Sequence, residues 1–128
     1  MRKLFLGLAL SLMATAASAQ WVLVTTSNVG EIKVYLDPAT KKRAGNIVKI
    51  WELQDYPKPI VQNNKASYST RIYRQYDCSE ATHQVLSSTD FTGRMLTGEM
   101  FNTLNHPGPK EFTPPGSMVE ALLNFACK

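Results

Sequence analysis

Two cysteines and two histidines are the side chains of this 128-residue chain best suited to chemistry. His83 follows Cys78 by five residues, a spacing that suits a zinc site or a thiol activated by a base. Zinc requires two further ligands, however, and an oxidised cysteine is no nucleophile. The sequence lacks the HExxH, GxSxG and glycine-rich phosphate-loop motifs, and its acidic residues form no catalytic pair. We therefore predict no enzyme activity, metal or cofactor, with His83 as an exposed neighbour of a disulfide cysteine.

Basic residues, partly interleaved with tyrosines, form a second group of candidates. The run at 41–43 is the densest cluster of charge and suits an acidic partner, with a solvated turn between strands as the alternative. Arginine and tyrosine, which alternate around position 73, are enriched at protein interfaces, and ordinary sheet surface is again the alternative. The predicted protein-binding surface consists of Lys41, Lys42, Arg43, Lys65, Arg71, Tyr73 and Arg74.

The start of the sequence predicts export. Residues 1–19 have the layout of a cleaved secretory signal peptide, with basic Arg2 and Lys3, a short apolar run and small residues before the cleavage point. Residues 20–128 are enough for one domain. Cleavage leaves 12 basic and 10 acidic residues, so the net charge falls from +4 to +2. Such a small excess does not suggest a nucleic-acid partner.

The predicted signal peptide also restricts where the domain acts. We expect it in the periplasm or outside the cell, with the cell surface as a further alternative. Gln20, rather than a cysteine, follows the predicted cleavage point, so we expect no lipid anchor. No later run of eighteen apolar residues occurs, so we expect no transmembrane segment.

Alternation of apolar and polar residues with period two predicts an antiparallel sheet. The first two strands form a hairpin, and the stretch at 46–56, the most apolar, is placed at the centre of the sheet. Weaker strands follow at 80–91, where helix competes at the start, and at 94–101. The segment 102–116 contains four prolines and is predicted to be an irregular crossing segment.

Residues 56–66 predict a mobile loop, because two prolines remove donors from the strand ladder and an asparagine pair favours a turn. The strand that follows has two distinct faces. Tyr76 and Cys78 share the more apolar face, and Arg71 and Tyr73 share the other.

A short helix is predicted near the end of the sequence. Ser117 and Glu120 form a capping box, and an apolar stripe follows. The chain has only two cysteines, and thiols are commonly oxidised in exported proteins. We predict a disulfide between Cys78 and Cys127 that fastens the helix to the apolar face of the sheet. Free thiols and an intermolecular bridge are the alternatives.

Several motifs occur in an order that carries a family resemblance. An opening Trp21 is followed by RAGNIVKIWELQDY at 43–56, the pair Asp77 and Cys78, the triplet Pro-Gly-Ser at 115–117, and finally Cys127. Over nearly all of residues 20–128 the chain resembles the surface-adhesin protein E family of Proteobacteria.

The resemblance implies an α+β domain in which an antiparallel sheet of about six strands carries a C-terminal helix tied down by the disulfide. It also implies a non-enzymatic protein, because the namesake binds host extracellular-matrix and plasma proteins. The namesake is lipid-anchored, unlike the expectation here, and Phe112 stands where the family commonly has tryptophan. Our hypothesis is an adhesin-like protein that binds matrix or envelope proteins. The alternative is a soluble periplasmic accessory or inhibitor protein without a host ligand.

Overall fold

The computed structural model describes residues 19–128 of the chain. Residues 1–18, almost all of the predicted signal peptide, lie outside the described residues. Within the described part, eight strands, one α-helix and two single 3-10 turns, Pro38–Thr40 and Arg94–Leu96, form the fold. In chain order the elements are β1 (Val22–Thr26), β2 (Lys33–Leu36), β3 (Lys42–Ala44), β4 (Ile47–Gln62), β5 (Lys65–Asp77), β6 (Thr82–Phe91), β7 (Met100–Leu104), β8 (Glu111–Phe112) and α1 (Met118–Ala126).

The strands form one antiparallel sheet in the order β1-β2-β4-β5-β6-β7. The short β3 pairs with β4, and the two-residue β8 pairs with β6. This six-strand path with a single C-terminal helix confirms the predicted α+β architecture. No helix among residues 19–128 combines the length and the apolar character needed to cross a membrane.

The β4–β5 hairpin shows that the loop predicted at 56–66 is wrong. The two strands are paired out to Gln62 and Lys65, so only Asn63 and Asn64 make the turn. Both asparagines have positive φ, 51° and 63°, as a tight two-residue hairpin turn requires. The sequence contained this signal, because asparagine is one of the few residues that adopt this conformation readily.

The two prolines of that segment lie inside β4 without ending it. The register is irregular between Asp55 and Ile60, and Pro57 and Pro59 lie within this interval. Since proline has no N–H to donate, its natural place in a sheet is such an interruption of the ladder. Beyond this interruption the two strands pair again in a shifted register, from Ile60 with Ser67 to Gln62 with Lys65.

The segment predicted to be irregular at 102–116 is partly regular. It contains the end of β7 and the whole of β8, which pairs with Thr82 and His83. The weak pattern at 80–91 is strand rather than helix from Thr82 onward. Phe112, where the sequence departs from the family pattern, is 69% exposed and lies outside the core.

Helix α1 packs on one face of the sheet, which we call the helix face. Ser117 begins the helix as predicted, since its hydroxyl oxygen accepts the N–H of Glu120 at 3.1 Å, and the Glu120 carboxylate accepts the N–H of Gly116 at 3.2 Å. A helix of nine residues is not stable alone, so burial of its stripe holds it in place. The core consists of Val34, Leu36, Val48, Ile50 and Tyr76 from the sheet and Leu122, Leu123 and Ala126 from α1.

A disulfide joins Cys78 and Cys127, which confirms the predicted pairing. Cys78 directly follows β5, and Cys127 caps the end of α1. The bond therefore ties the last turn of the helix to the end of a central strand. It closes a loop with a sequence separation of 49 residues.

The opposite side of β4 and β5 forms the outer face, and a loop at residues 92–99 covers one end of it. Arg94 Nε donates to Asp55 Oδ2 at 2.9 Å, and the N–H of Met95 donates to Asp55 Oδ1 at 2.8 Å. Leu53 is fully buried near this end. The strand register assigns to the outer face Lys49, Trp51, Leu53, Arg71, Tyr73 and Gln75.

Removing the disulfide tests how strongly it holds the fold. We expect the double variant Cys78→Ser, Cys127→Ser to lose about 4 kcal/mol of unfolding free energy, because the unfolded chain regains the entropy of an open loop. Urea unfolding followed by circular dichroism measures the change. Dithiothreitol should lower the wild-type midpoint and leave the variant's midpoint unchanged. A wild-type midpoint that does not respond to reductant would contradict the assignment.

The Asp55 carboxylate predicts a specific pH dependence. Burial would raise its pKa, but the hydrogen bonds from Arg94 and from the Met95 amide outweigh this and lower the pKa below its ordinary value. A depressed pKa stabilises the fold above the unfolded-state pKa of about 3.9, and the contribution is lost as pH falls through the folded-state pKa. We expect Asp55→Asn to lose about 1–3 kcal/mol at pH 7 and to unfold with a shallower dependence on acid pH.

The control for this measurement is Glu31→Gln, since Glu31 is an exposed acid between β1 and β2. Urea midpoints measured between pH 7 and pH 3 should follow the wild type for this variant. Identical pH profiles for wild type and Asp55→Asn would show that the loop at 92–99 does not depend on the carboxylate.

Candidate protein-binding surface

Two aromatic side chains stack on the outer face. Trp51 of β4 and Tyr73 of β5 are direct cross-strand partners. Their ring centroids are 4.7 Å apart and their planes differ by 23°. Both residues are half-buried, so each rigid ring still presents surface to solvent. Such cross-strand aromatic pairs stabilise a sheet and supply ordered contact area.

Arg71 extends this stack. Its Cζ lies 5.2 Å from the centroid of Trp51 and 5.7 Å from that of Phe91, so the guanidinium interacts with both rings. The Nε of Arg71 is buried and has no hydrogen-bond partner within residues 19–128. None of the ion pairs in the described part of the chain involves Arg71. The outer face thus holds a positioned cation that no carboxylate neutralises.

Lysines add positive charge to the same face. Lys42 of β3 and Lys49 of β4 are cross-strand partners, which places them on one side of the sheet. The nearby acids are already engaged. Asp55 binds the covering loop, and hydrogen bonds from Ser79 lower the pKa of Asp77. The uncovered part of the outer face is therefore basic and aromatic.

Arg74 does not belong to this surface, and its prediction as a binding residue is wrong. Its side chain is only 7% exposed, and it lies on the helix face. Nε and Nη2 donate to the two carboxylate oxygens of Glu52 at 2.9 and 3.1 Å. Burial opposes the charge, but the Glu52 carboxylate raises the pKa of Arg74. The two buried side chains form a bidentate ion pair in which each compensates the charge of the other.

His83 is buried, so its prediction as an exposed residue is also wrong. Its Nδ1 lies 2.9 Å from Arg74 Nη1, and its Nε2 lies 3.7 Å from Glu111 Oε2. Burial and the neighbouring arginine charge lower the pKa of His83, which keeps the ring neutral at neutral pH. The histidine extends the buried pair of Glu52 and Arg74. Residues 19–128 contain no cluster of three side chains able to hold a metal.

Two of the predicted basic residues bind the end of α1 instead. Lys41 Nζ donates to the carbonyl oxygen of Lys128 at 2.8 Å, and Arg43 Nη1 donates to that of Cys127 at 3.0 Å. The last carbonyls of a helix have no partner within the helix and form the negative end of its dipole. Arg43 satisfies the carbonyl of Cys127, which caps α1, and Lys41 binds the residue after the cap, so both help to fasten the helix end.

Lys65 is separated from the outer face as well. It lies on the β4–β5 hairpin, with its ammonium group 5.2 Å from the ring centroid of Phe101. Of the seven residues predicted from the sequence, the structure brings together Lys42, Arg71 and Tyr73.

A second concave region lies on the helix face beyond α1. It is a cavity of about 280 Å³ between the hairpin and β7. Tyr56 donates to Thr70 at 2.7 Å, Thr70 donates to Asp90 at 2.8 Å, and Asn102 donates to Asp90 at 2.9 Å. Burial raises the pKa of Tyr56 to about 12, so its phenol remains a neutral donor. The hydroxyl and carboxylate groups of Tyr56, Thr70 and Asp90 therefore satisfy one another along the cavity wall.

Comparison with known families agrees with this description. The family model for surface-adhesin protein E matches residues 21–128. The chain belongs to the surface-adhesin protein E family. Membership confirms the resemblance inferred from the motifs and makes this chain an adhesin-like protein. Among curated proteins, none matches the sequence.

Solved structures of Haemophilus influenzae protein E have the same fold. One is 13% identical to this chain, covers 88% of it and 87% of its own length, and superposes with a TM-score of 0.64. A second crystal form, 12% identical, covers 88% and 91% of the two chains with a TM-score of 0.67. The structure from non-typeable Haemophilus influenzae is 12% identical and covers 88% and 78% with a TM-score of 0.58. At this identity the similarity establishes the fold alone.

Sequence reasoning missed part of the outer face of this protein E family member. Trp51, Lys49 and Phe91 are not among the binding residues predicted from the sequence, although the strand that carries Trp51 is correctly placed at the centre of the sheet. The period-two pattern contained the signal, since Trp51 shares its parity with Lys49 and not with Val48 and Ile50. The same parity places Arg74 beside Tyr76 and apart from Arg71.

Two arginines three residues apart provide a matched test of these assignments. We expect Arg74→Met to lower the unfolding free energy by about 3–5 kcal/mol, because it leaves the buried Glu52 unpaired. Arg71→Met removes only contacts with aromatic rings and should cost about 1 kcal/mol or less. Urea unfolding measures both. Adding Glu52→Gln to Arg74→Met should recover part of the loss, and equal losses for the two arginine variants would contradict the assignment.

Proposed function

We propose that this protein E family member is a non-enzymatic exported binding protein that contacts another protein through its outer face. The observation that carries the proposal is the stack of Arg71, Trp51 and Tyr73. Tryptophan, tyrosine and arginine are the residues that most often dominate the binding energy of protein interfaces. Here all three lie together on a regular sheet, and family membership supports a binding role.

The position of the stack in the fold supports the same conclusion. The helix face is covered by α1, and the loop at 92–99 covers one end of the outer face. The uncovered part is formed by the central strands β4 and β5, whose backbone groups are paired on both sides. A partner would therefore meet ordered side chains that lose little conformational entropy on binding.

The class of partner follows from the expected location. The hypothesis favoured by the family is a partner among extracellular-matrix, plasma or envelope proteins. Gln20 at the predicted cleavage point instead favours a soluble periplasmic accessory protein. Protease treatment of intact producing cells separates the two. Degradation before the outer membrane is opened supports surface exposure, and protection until it is opened supports the periplasmic alternative.

The binding face is tested by Tyr73→Ala. Purified wild-type protein is measured by surface plasmon resonance against a panel of immobilised extracellular-matrix, plasma and envelope proteins. For each protein that binds, we expect the variant to lose at least about 30-fold in affinity, the effect of truncating an interface hot spot worth 2 kcal/mol.

The matched control is Asn124→Ala, an exposed residue of α1 on the other side of the sheet. It should bind as the wild type does. Circular dichroism and thermal unfolding must show that both variants are folded. Equal binding by Tyr73→Ala and wild type would refute the outer face as the interface.

A further inference from the structure

We propose that Arg71 is the receptor for a carboxylate on the partner, and that the partner therefore presents an acidic protein segment to the outer face. This inference rests on the proposed function, because it names the chemistry that the same face recognises. Its basis is a guanidinium that the fold positions between aromatic rings and that has no ion-pair partner in the described part of the chain.

The position of Arg71 is set by the register of three strands. It pairs with Leu53 of β4 and with Thr89 of β6, so Trp51 and Phe91 are its diagonal neighbours. Trp51 is in turn stacked on Tyr73. Arginine normally has considerable rotamer freedom, and contacts on both sides reduce it before any partner arrives. The Arg71 side chain would therefore lose little conformational entropy when it binds a partner carboxylate.

The exposed end of Arg71 determines which ligand fits. Nε is buried and has no hydrogen-bond partner among residues 19–128, so the Nη groups are the donors that a ligand can approach. Two parallel N–H donors on a planar group match the two oxygens of a carboxylate. The guanidinium is also partly removed from water. A hydrogen bond to a charged acceptor therefore contributes more binding free energy than one to a neutral acceptor.

The surroundings favour an acidic protein over a sulfated polysaccharide. Lys42 and Lys49 attract negative charge to the face and would speed association with an acidic segment. A polysaccharide with many sulfate groups calls for a long row of cations. Here a single fixed arginine lies among aromatic rings, which is the composition of a protein hot spot.

The direct test uses a synthetic deca-glutamate peptide as the probe. We expect it to shift the indole N–H signal of Trp51 in nitrogen-15 NMR spectra, because that ring contacts Arg71. Arg71→Gln should weaken binding at least tenfold. Arg71→Lys keeps the charge but loses the planar pair of donors, and it should also weaken binding severalfold. The control Lys65→Gln removes a cation from the hairpin and should change affinity by less than twofold.

The same variants on the protein panel separate this inference from the proposed function. If Tyr73→Ala abolishes partner binding while Arg71→Gln leaves it intact, the outer face is the interface, and the assignment of Arg71 as the carboxylate-binding residue is wrong. If neither variant changes partner binding, the proposed function itself fails. Binding of deca-glutamate that is equal in Arg71→Gln and wild type overturns the inference. Binding of a heparin fragment through Arg71 without binding of deca-glutamate would assign the site to a sulfated glycan instead.

Discussion

The attachment of α1 to one face of the sheet is the constraint on which the rest of the molecule depends. A nine-residue helix is held by its buried stripe, by the disulfide at Cys127, and by Lys41 and Arg43, which bind the carbonyls that follow the helix. All of these interactions join the helix to the rest of the domain, so a helix of this length would lack them if it were isolated. Together they commit the apolar side of the sheet to the helix, and the other side is left to meet solvent and partners.

The buried ion pair of Glu52 and Arg74 lies on the helix face, on the same strands as the hydrophobic core. Charges of this kind cost much desolvation energy, so the fold retains them only with full hydrogen bonding. Arg74 donates to both carboxylate oxygens of Glu52, and its remaining nitrogen, Nη1, lies within hydrogen-bond distance of His83. A shift of one residue in the register between β4 and β5 would place Glu52 and Arg74 on opposite faces, so the pair favours one register over its neighbours.

The alternation of side chains along β5 that buries Arg74 on the helix face places Arg71 on the outer face. Arg71 is three residues from Arg74 on one strand, yet it points to the side that no helix covers. There it is flanked by rings instead of by a carboxylate. A sheet with one helix has one face to spare, and in this member of the protein E family that face carries the residue types from which binding hot spots are made.

The sequence by itself determined the sheet and the helix capped by Ser117, and it favoured the disulfide that holds this helix on the apolar face. Period-two alternation, capping chemistry and cysteine number are local or countable properties. The same alternation places Arg74 and Arg71 on opposite faces of β5. Only the tertiary structure decided that His83 is buried beside an arginine, that Arg74 pairs with Glu52, and that the basic run at 41–43 divides between the helix end and the outer face. Those outcomes depend on which strands become neighbours, and long-range pairing is not encoded in any short stretch of residues.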